Sequence, residues 1–174
     1  MLNSKPNNNK YHGGLFVPKN KEKVIKLNTQ GGLFYRSSWE KKIMIWLDLK
    51  PEITKWGAEC LQIPYQMTHF ENGDTKIKNH VYHVDFYYEM RINGILRQVV
   101  AEVKPQKEYN FVQALTEGRL QVPEDKGKKL KNFEYDLKMA YKNKQKWETM
   151  INWCNKKGYD FIIITEEHLK KFNV

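Results

Sequence analysis

Residues 80–104 read HVYHVDFYYEMRINGILRQVVAEVK, and this stretch decides the fold. β-Branched and aromatic residues crowd both halves, and Asn93-Gly94 divides them. Asn-Gly is the favoured pair for a two-residue type I′ turn, because its backbone twist matches that of the flanking strands. Two antiparallel strands are therefore expected, His80–Ile92 and Ile95–Lys104. A two-residue loop pairs Ile92 with Ile95. Counting back sets Asp85 opposite Glu102 and His83 opposite Lys104. Strand alternation puts these four on one face, and opposed side chains have Cβ atoms about 4.5–5.5 Å apart. Two carboxylates at that separation repel. A bound divalent cation reverses the sign, and Mg²⁺ commonly takes one or two carboxylates with waters and phosphate. The other face carries Tyr82, Val84, Phe86 and Tyr88 against Val99, Ala101 and Val103, and is expected to be core. The competing reading is a solvent-facing sheet with charge pairs such as Glu102 with Lys104 or His83.

Upstream, Ser37 and Glu40 have capping-box spacing, and Ile43, Met44 and Leu47 form an apolar stripe beside Trp39 and Trp46. A helix is expected from near Ser38 to Pro51. Glu40 is then either the reciprocal arm of that cap or a further carboxylate of the site. Extended segments are expected at Ile53–Ala58 and Leu61–Gln66, with a polar turn over residues 68–79. Downstream, a short helix is expected near Glu108–Glu117, then a basic loop through Pro123 and Gly127. A long helix follows over Glu134–Lys157, with Leu137, Tyr141, Trp147, Ile151 and Cys154 on its buried side. Gly158 stops it; Tyr159–Thr165 reads as a buried strand and Glu166–Phe172 as a last helix. The order α-β-β-β-α-β makes this an α/β protein, a mixed sheet flanked by helices. Its final strand would return parallel to another by a right-handed crossover.

The 174 residues and 20.9 kDa fit one domain. Residues 1–36 hold seven basic side chains and one acid, Glu22, with Tyr11, Phe16, Phe34 and Tyr35 interleaved. They read as a basic arm before a domain at 37–174: Met1–Lys10 as a solvated tail, the rest as an arm that follows nucleic acid by charge and stacking. Thirty Lys and Arg against 20 Asp and Glu give a net charge of +10. That excess points to nucleic acid first and an anionic membrane surface second. The phosphate-contact candidates are Lys19, Lys21, Lys23, Arg36, Lys128, Lys129 and Lys146. Lys142, Lys144 and Lys146 cannot all share one helical face, so only part of that run can be such a surface.

Several chemistries fail on spacing. Two cysteines, Cys60 and Cys154, make no disulfide framework and suit a reducing compartment. No run of about 18 apolar residues exists for a membrane span, and the polar start lacks the apolar core of a signal peptide. A soluble intracellular protein is expected. His80 and His83 lie an odd number of strand positions apart and make a poor zinc pair. There is no phosphate-binding Gly-x-x-x-x-Gly-Lys-Ser/Thr loop and no Gly-x-Ser-x-Gly elbow.

Glu40 on a leading helix, Asp85 on one strand and Glu102-Val103-Lys104 on the next resemble the PD-(D/E)XK nuclease fold. The chain is similar to the head-completion nucleases of T-even-like tailed phages and to the TnsA transposition endonucleases. The resembling stretches are Tyr35–Glu40, Ile53–Glu59, Ile63–Tyr65, His83–Phe86, Ala101–Pro105, Lys146-Trp147, Trp153-Cys154 and Phe161–Glu166. Val84 stands where a proline usually precedes the strand aspartate, and 106–133 does not align. The resemblance implies that Asp85, Glu102 and the Val103 carbonyl hold one or two Mg²⁺ ions, for which Mn²⁺ can substitute. Glu40 would complete the shell directly or through water, and Lys104 would orient the attacking water. It further implies hydrolysis of double-stranded or branched DNA and a role in finishing the phage head, in the cytoplasm of the infected cell, with portal or head proteins as partners. Two alternatives stay open: a catalytically silent DNA- or portal-binding head-completion protein, and a TnsA-like nuclease subunit that needs a partner.

Overall fold

A computed structural model describes residues 13–71, 74–124 and 126–172. The solvated-tail expectation for Met1–Lys10 lies outside them, as does Tyr11. In chain order the elements are β1 (Gly14–Phe16), β2 (Leu33–Tyr35), α1 (Ser38–Leu49), β3 (Ile53–Ala58), β4 (Gln62–Glu71) and β5 (Asp74–His83). There follow β6 (Phe86–Ile92), β7 (Ile95–Val103), α2 (Gln106–Thr116), α3 (Lys128–Lys157), β8 (Asp160–Ile164) and α4 (Glu166–Leu169). The central sheet runs β3-β6-β7-β8, antiparallel except that β8 lies parallel to β7. Among the described residues, no helix is long and apolar enough to cross a membrane.

The β6–β7 hairpin has the expected register, from Ile92 against Ile95 to Phe86 against Ala101. Asn93 and Gly94 both take positive φ, 49° and 82°, as a type I′ turn requires. The pairing ends at Phe86. Val84 and Asp85 interrupt the strand, with the Val84 N–H donating to Leu61 O and Asp85 O accepting from the Glu59 N–H. What precedes the break is a separate strand, β5, paired with β4 over ten positions, so His83 faces Gln62 and not Lys104. The expected turn at 68–79 is strand almost throughout; its tip residues 72–73 are outside the description.

The break also divides the apolar face expected to be continuous. Phe86, Tyr88, Val99 and Ala101 pack with Ile43, Met44 and Leu47 of α1. Tyr82 and Val84 join Tyr87 and Val100 on the opposite side, under Met150 and Cys154 of α3. The sheet is therefore covered on both faces, which overturns a solvent-facing polar side. α3 begins at Lys128 and ends at Gly158 in the left-handed conformation, φ 71°. Its buried stripe is Ala140, Asn143, Trp147, Met150 and Cys154. Tyr141 and Ile151, expected inside, are 50% and 46% exposed. Spacings of three and four from Trp147 lead through Asn143 and Met150, so a buried polar residue diverted the apolar reading.

Residues 13–36 are not a free arm. Phe16, Val24, Leu27, Leu33 and Tyr35 pack against the α1 side of the core. Buried Asp48 accepts the backbone N–H groups of Lys19 and Asn20 at 2.8 and 3.0 Å. The Ile25 N–H donates to Trp56 O at 2.9 Å. Apolar residues spaced among the lysines let this segment bury one side while the charges stay outside.

Candidate active site

β7 delivers Glu102 and Lys104 where the sheet meets the start of α2. Glu102 is 2% exposed, an arrangement tolerated only where a carboxylate is paired. Three donors surround it. Lys104 Nζ lies 3.2 Å from Oε1 and Lys146 Nζ 3.4 Å from the same atom. The Tyr82 hydroxyl donates to Oε2. Having left the β6 ladder, Asp85 accepts the Val103 N–H on Oδ2 at 2.7 Å. This bond ties the aspartate to the strand of Glu102 and Lys104. Glu40 accepts the Arg36 N–H at 2.8 Å and the Ser37 hydroxyl at 3.1 Å, and its own N–H donates to Ser37. It thus braces the α1 cap, but the backbone N–H it accepts is that of Arg36, one residue before the Ser37 N-cap, and not the Ser37 N–H of a capping box. It also lines a small cleft with Phe34, Arg36, Ala58, Glu59, Asp85 and Phe86. Glu40 therefore serves the cap and also borders the cleft beside Asp85.

The electrostatics follow from burial and charge. Burial first, then the charge of Glu102, pushes the Asp85 carboxyl up to about 7, against the lowering effects of the Val103 N–H and Lys104. Burial works against the Lys104 ammonium, but contact with Glu102 outweighs it and the net shift is upward. At Lys146 burial wins over Glu102 and the shift is downward. Tyr82 is driven far up by burial and then by Glu102, so its hydroxyl is held as a donor.

The donor set suits a hard divalent cation. Asp85, Glu102 and the Val103 carbonyl offer oxygen donors on neighbouring backbone, and repulsion between the carboxylates is what such an ion would relieve. Among the described residues no three His, Cys, Asp or Glu side chains come together as a ready cage.

Other expected site residues are distributed differently. Lys146 is not on the outer surface: its ammonium lies 4.2 Å from the centroid of the Tyr82 ring and reaches Glu102. Lys23 Nζ donates to Asp48 O and Lys50 O at 3.2 and 3.0 Å, closing the C-terminal end of α1. Arg36 pairs with Glu59 at 2.5 Å beside the cleft. Lys19, Lys21, Lys128 and Lys129 are exposed. Sequence reasoning filed Tyr82 under core and Lys146 under surface. No signal in the sequence marked Lys146, because the buried stripe it flanks runs through Asn143, which reads as a surface residue.

The model of the family described as TnsA-like endonuclease N terminal matches residues 50–166, a span that holds Asp85, Glu102, Lys104 and Lys146. The chain belongs to that family, and its mixed sheet flanked by helices is a nuclease-family fold. Over 159 residues it is 30% identical to the head completion nuclease of enterobacteria phage T4, which covers 91% of this chain and 94% of the relative. No solved structure matches the chain.

Proposed function

We propose that this protein is a Mg²⁺-dependent endonuclease that hydrolyses DNA phosphodiester bonds during completion of a phage head. The observation that carries the reading is buried Glu102 held between Lys104 and Lys146, on a strand tied to Asp85 through the Val103 N–H. Asp85, Glu102 and the Val103 carbonyl would hold the cation, with Glu40 reached across the cleft through water. When bound, the cation lowers the pKa of the attacking water and offsets charge on the phosphate. Lys104 donates to the attacking water and fixes its approach. The water oxygen bonds to phosphorus as the bond from phosphorus to the leaving sugar oxygen breaks. One proton leaves the water and one reaches the leaving oxygen.

Exposed Lys19, Lys21, Lys128 and Lys129, with Arg36 at the cleft, would contact phosphates. Lys128 and Lys129 stand at the N-terminal end of α3, where no acid accompanies them and the helix dipole opposes their charge. A DNA backbone would compensate that cost. Phe34, 65% exposed in the wall of the cleft, offers an aromatic face for a base. The setting would be the infected host cell, with portal or head proteins as partners.

The test is incubation with linear, nicked and branched DNA, with Mg²⁺ or Mn²⁺ and with EDTA. Cleavage should require the metal, and Glu102→Ala and Lys104→Ala should abolish it while DNA binding persists. Cleavage in EDTA, or cleavage that survives Asp85→Ala, overturns the reading. If the protein is silent alone and cuts once a head protein is added, it is a nuclease subunit that needs its partner.

A further inference from the structure

Glu102 has more counter-charge than its burial demands. Lys104 reaches Oε1 from the same strand and Tyr82 donates to Oε2. Lys146 adds a second ammonium to Oε1 from α3, with its side chain only 16% exposed. That second ammonium is desolvated and repelled by Lys104. A buried carboxylate needing only satisfaction would be served as well by a neutral donor, without either cost. The stem of Lys146 is fixed by its neighbours, since its ammonium lies over the Tyr82 ring. The charges of the pocket explain the arrangement. Among these four groups, once a bound cation keeps both carboxylates ionised, Asp85 and Glu102 bring two negative charges against two positive from Lys104 and Lys146. A divalent cation leaves two positive charges in excess. A phosphodiester under attack by hydroxide passes through a species carrying two negative charges. Without Lys146 the excess would be one.

We infer that Lys146 belongs to the reaction centre: it balances Glu102 while no divalent cation is bound, and once one is, its ammonium serves the phosphate being cleaved. The inference rests on the hydrolytic reading above, and it places Lys146 apart from the lysines that grip DNA elsewhere.

The experiment compares wild type, Lys146→Met and Lys146→Arg. Methionine keeps the length and apolar stem without the charge. Mg²⁺ affinity is measured by calorimetry without DNA, and cleavage under saturating Mg²⁺ over a range of DNA concentrations. Lys146→Met should bind Mg²⁺ about tenfold more tightly, because no ammonium competes for the carboxylate. It should cleave about a hundredfold more slowly at saturating DNA, with KM within about threefold of wild type. Lys146→Arg should recover most of the rate. A normal rate with a raised KM would make Lys146 an ordinary DNA contact and overturn the inference. Unchanged Mg²⁺ affinity with a lowered melting temperature would make it a packing residue, and also overturns it. If wild type itself does not cleave DNA, the hydrolytic reading fails separately. The Mg²⁺ titration then still decides: tighter binding by Lys146→Met supports the counter-ion role, and equal binding ends it.

Discussion

Replacing Asp85 with asparagine should make the metal-free protein more stable, by an amount that grows with pH. Burial and the charge of Glu102 move the Asp85 carboxyl from its ordinary value of 3.8 up to about 7. The folded protein therefore keeps a proton there over a range in which the unfolded chain has lost it. Stability from this group is fully present below about pH 4 and is lost as pH rises through about pH 7. At about 1.36 kcal/mol per pH unit, the interval sets a ceiling of about 4 kcal/mol. Asp85 retains some solvent contact, and screening reduces the expectation to about 2 kcal/mol. Asparagine cannot ionise, and its amide oxygen can still accept the Val103 N–H. The stability difference between variant and wild type should be near zero around pH 4 and about 2 kcal/mol in the variant's favour around pH 8. Urea unfolding in EDTA, followed by tryptophan fluorescence at about pH 4, 6 and 8, measures it. Adding Mg²⁺ at the highest pH should narrow the gap by stabilising wild type alone. A difference that does not change with pH, or a variant less stable than wild type at about pH 8, would mean that Asp85 holds no extra proton in the folded protein.

Ile43→Ala, at a fully buried position of α1, should cost about 2–5 kcal/mol in the same urea assay. Ser37→Ala removes the oxygen that accepts the Glu40 N–H and should cost about 1 kcal/mol; Ser37→Thr, which keeps the hydroxyl, should restore most of it, and failure to do so would argue against the cap. DNA affinity should fall steeply with salt, and Lys128→Ala and Lys129→Ala should each lower the slope of log affinity against log salt by about 1. A flat response would remove the phosphate-contact reading of the basic surface.

Local rules account for what could be read from residues alone. The hairpin register followed from Asn93-Gly94, because a two-residue turn leaves one choice of pairing. The start of α1 followed from Ser37 and Glu40, whose mutual hydrogen bonds need only residues three apart. Glu102 and Lys104 fall on one side of β7 by strand alternation, and their contact appears at 3.2 Å. Each of these depends on neighbours in the chain.

The rest depended on contacts between distant segments. Alternation cannot foresee a strand that stops, and the break at Val84–Asp85 is held by backbone bonds to Leu61 and Glu59. That break moved Tyr82 from the α1 core to the side of Glu102. Asn143 concealed the true face of α3, because a buried polar residue looks like a surface one until Glu108 is seen within reach of its amide at 3.5 Å. Lys146 read as one lysine in a charged run, and only the packing of α3 over the sheet put it on Glu102. The basic residues of 13–36 suggested an arm, and Asp48, from the far end of α1, fastens that segment down. The turn, the cap and the acid-lysine pair were legible in the residues alone, since periodicity and short-range hydrogen bonding are set by residues a few positions apart. Which charges share the pocket was settled by folding. The energy of a buried charge depends on every group brought near it, and the chain order does not contain that list.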